Sequence, residues 1–338
     1  MPGTPPALVV MPDTHHGVAV LARQVAAAVT RVVGADVSVP LAALEGPNPP
    51  PRAHLHFTDR LWAGSPEEAA DRIEAVARRT AVTVTLHDLP QPSDGARNLP
   101  RRADCYARVV AAADGVVVNS RHEAALLVEH TVPDHASDVG VIPLPVSPAP
   151  RTGHRPRPRA DVAVLGFFYP GKGHAEVVDA VVSLRAAVAD DRDGLGVTVL
   201  GRPSAGHEDE LAALVTDAAR RGVAVEVTGW LDDDDLIARA RHVGVPAATH
   251  RHVSASGSIA TWVEAGRRPL VPTTRYSTEM AALRPGTLTL VEDGDLAPAI
   301  ARALEDPAST WIADDAVTRP DLRDTALAYL DWFTGRSA

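Results

Sequence analysis

The feature that most constrains this chain is an alternation that runs through its whole length. Short Val-rich apolar runs give way to longer Ala-, Leu- and Arg-rich amphipathic stretches and then return. Such runs are short enough to be strands covered on both faces, while the stretches between them carry a helical period. Strands that recur after helices must be joined by crossovers, which gives parallel sheets and an α/β fold. In the first half the pattern reads as strands over 7–11, 36–39, 53–57, 81–86, 115–118 and 139–142, with helices over 18–33, 66–79, 99–113 and 121–130. The second half reads as strands over 161–165, 196–200, 224–227, 243–246, 269–271 and 287–291, and helices over 174–188, 208–221, 232–242, 258–265 and 296–305. Pro66 stands in the first turn of its helix behind Ser65, a good N-cap, with Glu67 and Glu68 at the positive end.

Between the halves lies PLPVSPAPRTGHRPRPR, with six prolines, four arginines and no apolar period. This is the best linker in the sequence. It divides the 338 residues into a Rossmann-like domain over 1–147, a linker over 148–160, a second Rossmann-like domain over 161–315 and a final helix in 316–338 whose docking site periodicity does not assign. Two similar α/β halves joined this way are expected to face each other across a cleft, with ligands beyond the carboxyl ends of the strands.

Charge and composition exclude several alternatives. A net charge of -10 argues against binding nucleic acid or anionic lipid through overall charge. Cys105 is the one cysteine, so no intrachain disulfide or CxxC metal motif exists, and a reducing compartment fits. No basic, then apolar leader opens the sequence and no apolar run is long enough to span a bilayer, so a cytoplasmic protein without an integral membrane segment is expected. Of the 33 basic residues only Lys172 is lysine, which makes it worth inspection.

Lys172 lies in Gly166-Phe167-Phe168-Tyr169-Pro170-Gly171-Lys172-Gly173-His174, between a strand and a helix. Glycines allow close backbone approach, a helix start presents unpaired N–H groups and the ammonium adds a charge, so phosphate is the natural ligand. Gly173 replaces the hydroxyl that would hold magnesium in a P-loop, which disfavours an NTPase. After another strand, Gly201 permits a turn and Arg202 offers a planar fork to a second phosphate oxygen. The loop Ser256-Gly257-Ser258 leads into a helix carrying Glu264, a set suited to a diphosphate and ribose hydroxyls. In the first half, His15 and His16 follow one strand, His87 and Asp88 follow another, and His54 and His56 alternate on a third. These imidazoles are expected to converge on a substrate hydroxyl or phosphate, with Asp88 or another carboxylate orienting them. The acidic run from Asp232 to Asp235 reads as helix capping, and no metal site is expected.

Together these motifs resemble the two-domain GT-B glycosyltransferases, most like the retaining glycosyltransferase family four. HHGV, LHDLP, VVNS and VIPLPV, then GFFYPGKG, VLGR, VTGWL and SGSIATWVEAGRRPLV, stand in the family's order over nearly the whole chain. The sequence departs from the family at Ser256, where its first signature glutamate stands, and at Phe167, where it has an arginine. The resemblance implies a nucleotide-diphosphate sugar as donor substrate, no cofactor or metal, and an acceptor of unknown identity taken by the first domain. It implies donor contacts from Gly17, Gly166, Lys172, Gly201, Arg202, Trp230, Leu231, Ser256, Gly257, Ser258 and Glu264, and catalytic roles for His87 and Lys172. The acceptor side would carry His15, His16, His56 and Asp88. Retention of configuration follows from the resemblance alone. A nucleotide-sugar epimerase and a non-catalytic nucleotide-sugar-binding or scaffolding protein are the competing readings.

Overall fold

The computed structural model describes residues 4–12, 16–131, 139–147, 155–187 and 194–335. The chain separates into two compact units, Met1–Pro145 with Pro320–Ala338, and Val146–Arg319. The first unit runs β1 (Ala7–Val10), α1 (Gly17–Val33), β2 (Ser38–Pro40), α2 (Ala42–Glu45), β3 (Arg52–Phe57), α3 (Asp59–Trp62), α4 (Pro66–Ala77), β4 (Ala81–Leu86), α5 (Gly95–Ala112), β5 (Gly115–Val118), α6 (Arg121–His130) and β6 (Val139–Val141). The second runs β7 (Asp161–Leu165), α7 (His174–Ala187), β8 (Gly196–Leu200), α8 (Glu208–Arg220), β9 (Val225–Val227), α9 (Asp233–His242), β10 (Val245–Ala247), α10 (Gly257–Glu264), β11 (Leu270–Pro272), α11 (Arg275–Leu283), β12 (Thr289–Val291) and α12 (Leu296–Glu305). The last helix, α13 (Leu322–Gly335), returns to the first unit.

Each unit is a six-stranded sheet flanked by helices, in the order β2-β1-β3-β4-β5-β6 and β12-β11-β10-β7-β8-β9. Every strand pair is parallel. The sheets reverse their winding between β1 and β3 and between β7 and β10 respectively. Crossovers leave those strands on opposite faces, and this opens a crevice at their carboxyl ends. The register pairs His56 with Thr85 and Phe57 with Leu86, so His87 begins where both strands stop. Leu55, Phe57, Val84 and Leu86 are fully buried in the first unit, and Val162, Val164 and Val245 in the second, as doubly covered strands require. The final helix buries Ala326, Tyr329 and Phe333 against Leu8, Val25, Val29 and Ile142. Gly140 makes room for it, since a Cβ there would sit 2.5 Å from the Trp332 indole nitrogen.

Besides the single-turn helix α2, which has no counterpart in the sequence reading, three helices differ from it. Helix α5 starts at Gly95 and carries Pro100 inside it, which forfeits one backbone bond but leaves the amphipathic face intact. Helix α11 escapes a periodicity search because it is short, and its start is fixed by a reciprocal Thr274–Ser277 capping box. Helix α3 is a single turn that buries Trp62 and Asp59.

Candidate active site

In the second unit the strand ends meet so closely that only glycine fits. Gly166 follows β7 with φ 109°, and a Cβ on Gly201, which follows β8, would collide with the Gly166 carbonyl. A Cβ on Gly173 would likewise collide with Thr249, which follows β10. This packing folds the loop after β7 inward and buries Lys172, leaving it 8% exposed. Its Nζ donates to Ser258 Oγ at 3.0 Å, and among the described residues no carboxylate pairs with it. An ammonium has three donors and here one is used, so the site is short of acceptors. Burial pushes the ammonium down to about 8.

Ser258 belongs to the first turn of α10. Ser256 caps that helix, its Oγ accepting from the Ile259 N–H at 3.2 Å and lying 3.1 Å from Ser258 Oγ. The Ser256 N–H donates to Tyr276 Oη at 3.0 Å. Gly257 opens the helix, so the positive helix end and the buried ammonium share one corner of the unit. Glu264 closes the same helix, roughly 12 Å along its axis from Ser256 at 1.5 Å per residue. Burial, with Asp233 adding repulsion, pushes its carboxyl up to about 7. Asp232 caps α9 through its Oδ1, which accepts from the Asp235 N–H at 2.9 Å. Among the described residues no group of His, Cys, Asp or Glu is placed to hold a metal ion.

Beyond β8 and β9, Arg202 lies beside a pair of aromatic rings in mutual contact, with its guanidinium 5.6 Å from Phe167 and 5.3 Å from Trp230 and the two ring centroids 6.1 Å apart. Trp230 is 51% exposed, and Leu231 beside it is half-buried. Thus Phe167 holds an arginine from the neighbouring strand by a cation–π contact. Two buried histidines adjoin Lys172 that sequence reasoning did not select. Neither ring nitrogen of His174 has a partner, nor has His250 Nδ1. Burial, reinforced by the Lys172 charge, pushes His174 down to about 3 and His250 well below its ordinary value, so both are neutral.

The first unit gathers imidazoles at the carboxyl ends of its strands. His16 caps α1, its Nδ1 accepting from the Val18 N–H at 3.2 Å, and lies near enough to His87 to affect its titration. Gly17 follows as the exposed first residue of α1, and His15 lies outside the described residues. His56 Nδ1 is 2.9 Å from His87 Nε2, and His87 Nδ1 is 3.2 Å from Asn119 Nδ2. Burial pushes His56 down to about 4 and His87 well below its ordinary value. His54 is a core residue: its two ring nitrogens lie 2.9 Å from Thr83 and Thr85 hydroxyls, and Thr85 joins Tyr329 Oη at 2.8 Å.

Asp88 does not orient these rings. Its φ of 52° turns the carboxylate toward Arg102, whose Nη2 donates to Asp88 Oδ2 at 2.9 Å while the same guanidinium holds Asp59 and Asp94. The carboxylate behind the imidazoles is Glu123, which accepts from Asn119 Nδ2 at 3.0 Å and from the Asn119 N–H at 2.6 Å. Asn119 stands at the end of β5 in VVNS, so a search of every strand end for polar side chains would have found it. Glu123 reads in sequence as an ordinary residue in the turn that Ser120 caps.

No protein-family model matches the chain, and no curated protein resembles it in sequence. Solved structures do share its fold. A structure of Anabaena HepE in complex with UDP and glucose superposes with a TM-score of 0.65 at 13% identity, covering 98% of this chain and 95% of HepE. Sucrose-phosphate synthase from Thermosynechococcus elongatus gives 0.56 at 16% identity over 84% of this chain and 69% of that protein. The apo structure of OtsA gives 0.56 at 12% identity over 94% and 74%. The chain therefore has the α/β architecture of two parallel-sheet units found in the GT-B glycosyltransferases.

Proposed function

We propose that this protein is a cytoplasmic glycosyltransferase that moves a sugar from a nucleotide-diphosphate sugar to an acceptor, with retention of configuration and without a metal ion. The observation that carries the reading is Lys172: a buried ammonium with one hydroxyl partner, no counter-carboxylate among the described residues, and a helix start beside it. Such a corner favours a polyanion, because any added oxyanion supplies the acceptors that the ammonium lacks. When the bond between the anomeric carbon and the diphosphate oxygen breaks, charge gathers on the diphosphate. Lys172 and the first N–H groups of α10 are placed to stabilise that charge, the task a metal performs in other transferases. Arg202 reaches a further phosphate oxygen, Gly166, Gly201 and Gly257 let the backbone approach, Trp230 and Leu231 border the nucleoside, and Glu264 accepts from the ribose.

The structures of Anabaena HepE in complex with UDP and glucose and with UDP-glucose support a uridine diphosphate sugar as the first donor to test. The acceptor is assigned to the first unit, where His16, His56 and His87 gather. A thermal-shift panel of UDP-, GDP-, ADP- and dTDP-sugars tests the reading, since a ligand specific for the folded state raises the melting temperature by mass action. No shift with any of them would overturn it.

One observation favours a second reading, a nucleotide-sugar-binding protein without transfer activity. Ser256 uses its hydroxyl to cap α10 and offers no carboxylate to the donor sugar. Slow hydrolysis of the bound donor in the absence of acceptor would decide for the transferase.

A further inference from the structure

The direction of every hydrogen bond around His56 and His87 follows from their neighbours. Asn119 Nδ2 lies 3.3 Å from the Leu86 carbonyl oxygen and 3.0 Å from Glu123 Oε2. A carbonyl and a carboxylate only accept, so the amide atom that faces both is its NH2 group. That group, with two hydrogens shared among three acceptors and no lone pair to receive a proton, also faces His87 Nδ1 at 3.2 Å, so Nδ1 is the unprotonated ring nitrogen. A neutral imidazole that accepts at Nδ1 carries its proton on Nε2, hence His87 Nε2 donates to His56 Nδ1 across 2.9 Å. The two ring planes are inclined by only 18° with centroids 5.2 Å apart, the edge-to-edge geometry of an N–H···N bond. His56 therefore accepts at Nδ1 too, and its proton sits on Nε2. Burial keeps both rings neutral, which excludes a doubly protonated ring at neutral pH. His56 Nε2 has no hydrogen-bond partner among the described residues, and His56 keeps 5% exposure.

We infer that His56 Nε2–H is a fixed hydrogen-bond donor presented to a ligand oxygen at the end of β3, and that His87, Asn119 and Glu123 are positioning residues that set its tautomer. An amide cannot pass a proton along, so the array holds a direction and is not a proton wire. In this state His56 donates to an oxygen and does not act as a general base. That the oxygen belongs to a sugar hydroxyl rests on the glycosyl-transfer reading; the tautomer does not.

The test is a long-range proton–nitrogen correlation spectrum of the full chain labelled with 15N-histidine at neutral pH, with His56→Gln and His87→Gln used to assign the two rings. Both should show the Nε2–H tautomer with an unprotonated Nδ1. An Nδ1–H tautomer on either ring, or a mixture, overturns the proposal. Asn119→Leu removes the donor and should release both rings into a mixture of tautomers; a pure Nε2–H spectrum in a folded variant also overturns it. Should that variant not fold, the wild-type spectrum decides alone. Saturation with glucose, used as the simplest hydroxyl-bearing acceptor probe, should move the His56 Nε2 signal. Binding seen by thermal shift without that movement refutes the contact with a sugar oxygen, whereas failure of all nucleotide sugars to bind refutes the donor reading and leaves the tautomer standing.

Discussion

Replacing Lys172 by methionine should make the protein more stable while it weakens nucleotide binding. Burial lowers the ammonium from an ordinary value of 10.5 to about 8. At 1.36 kcal/mol per tenfold change in proton affinity, holding the charged form in the fold costs about 3 kcal/mol. Methionine fills a similar volume without the charge. It leaves Ser258 Oγ without its donor, at a cost of about 1 kcal/mol, although the contact with Ser256 Oγ at 3.1 Å remains. The net gain is about 2 kcal/mol at pH 7, or about 4–8 °C in the melting temperature of a unit this size. The sign is checked through pH. Below pH 8 the lysine is charged in both folded and unfolded states, so the full cost is present. Between about 8 and 10.5 the folded state releases its proton first, wild-type stability rises relative to the variant, and the gap closes. Melting curves of both proteins from pH 6 to pH 10, with and without UDP, measure this. A variant no more stable than wild type at pH 7, with a difference flat across the range, would refute the argument that an unpaired charge is held there at the expense of stability.

Lys172→Ala should lower the transfer rate by roughly 10² to 10³, the scale of one lost charge-stabilising donor. Lys172→Arg should also be impaired, because the planar fork is bulkier than an ammonium in a corner walled by Gly166; initial-rate assays check both. Glu264 gives a pH signature of opposite sense. Its folded carboxyl titrates near 7 while the unfolded one titrates near 4.5, so stability falls as pH rises between them and Glu264→Gln should melt progressively higher than wild type from pH 5 to pH 8. Arg102→Leu should cost about 3–5 kcal/mol by denaturant titration, since it strands the buried Asp59 carboxylate without its cation.

What the sequence revealed, and what it did not, divides by the distance over which a signal is written. The strands were legible because apolar runs are local, and the Lys172 loop because glycines, lysine and helix start are contiguous. The cluster of Arg202 with Phe167 and Trp230 was not legible, since it joins the ends of three strands that only the order β7-β8-β9 makes neighbours. The same holds for Glu123, which reads as a residue in a capped turn until the β4-β5 pairing brings Asn119 beside His87. Asp88 looked like the natural partner of its neighbour His87, but a single positive φ turned it to Arg102 instead.

The two strand-end clusters have opposite electrostatics, and this supports the division of labour proposed for them. In the second unit a desolvated cation stands without a carboxylate, and the two histidines beside it are kept neutral by burial and by the Lys172 charge. That corner gains most from a ligand carrying several negative oxygens. In the first unit the buried imidazoles are neutral, the carboxylates of Asp59, Asp88 and Asp94 are tied to Arg102, and Glu123 is engaged by Asn119. A neutral donor such as the Nε2–H of His56 suffices for an uncharged hydroxyl oxygen but leaves the charge of a diphosphate uncompensated. A protein that handled a phosphorylated ligand in both units would need a cation in each. Among the described residues the first unit has no such cation in its imidazole cluster, which is why the diphosphate is assigned to Lys172 and the hydroxyl-bearing partner to His56.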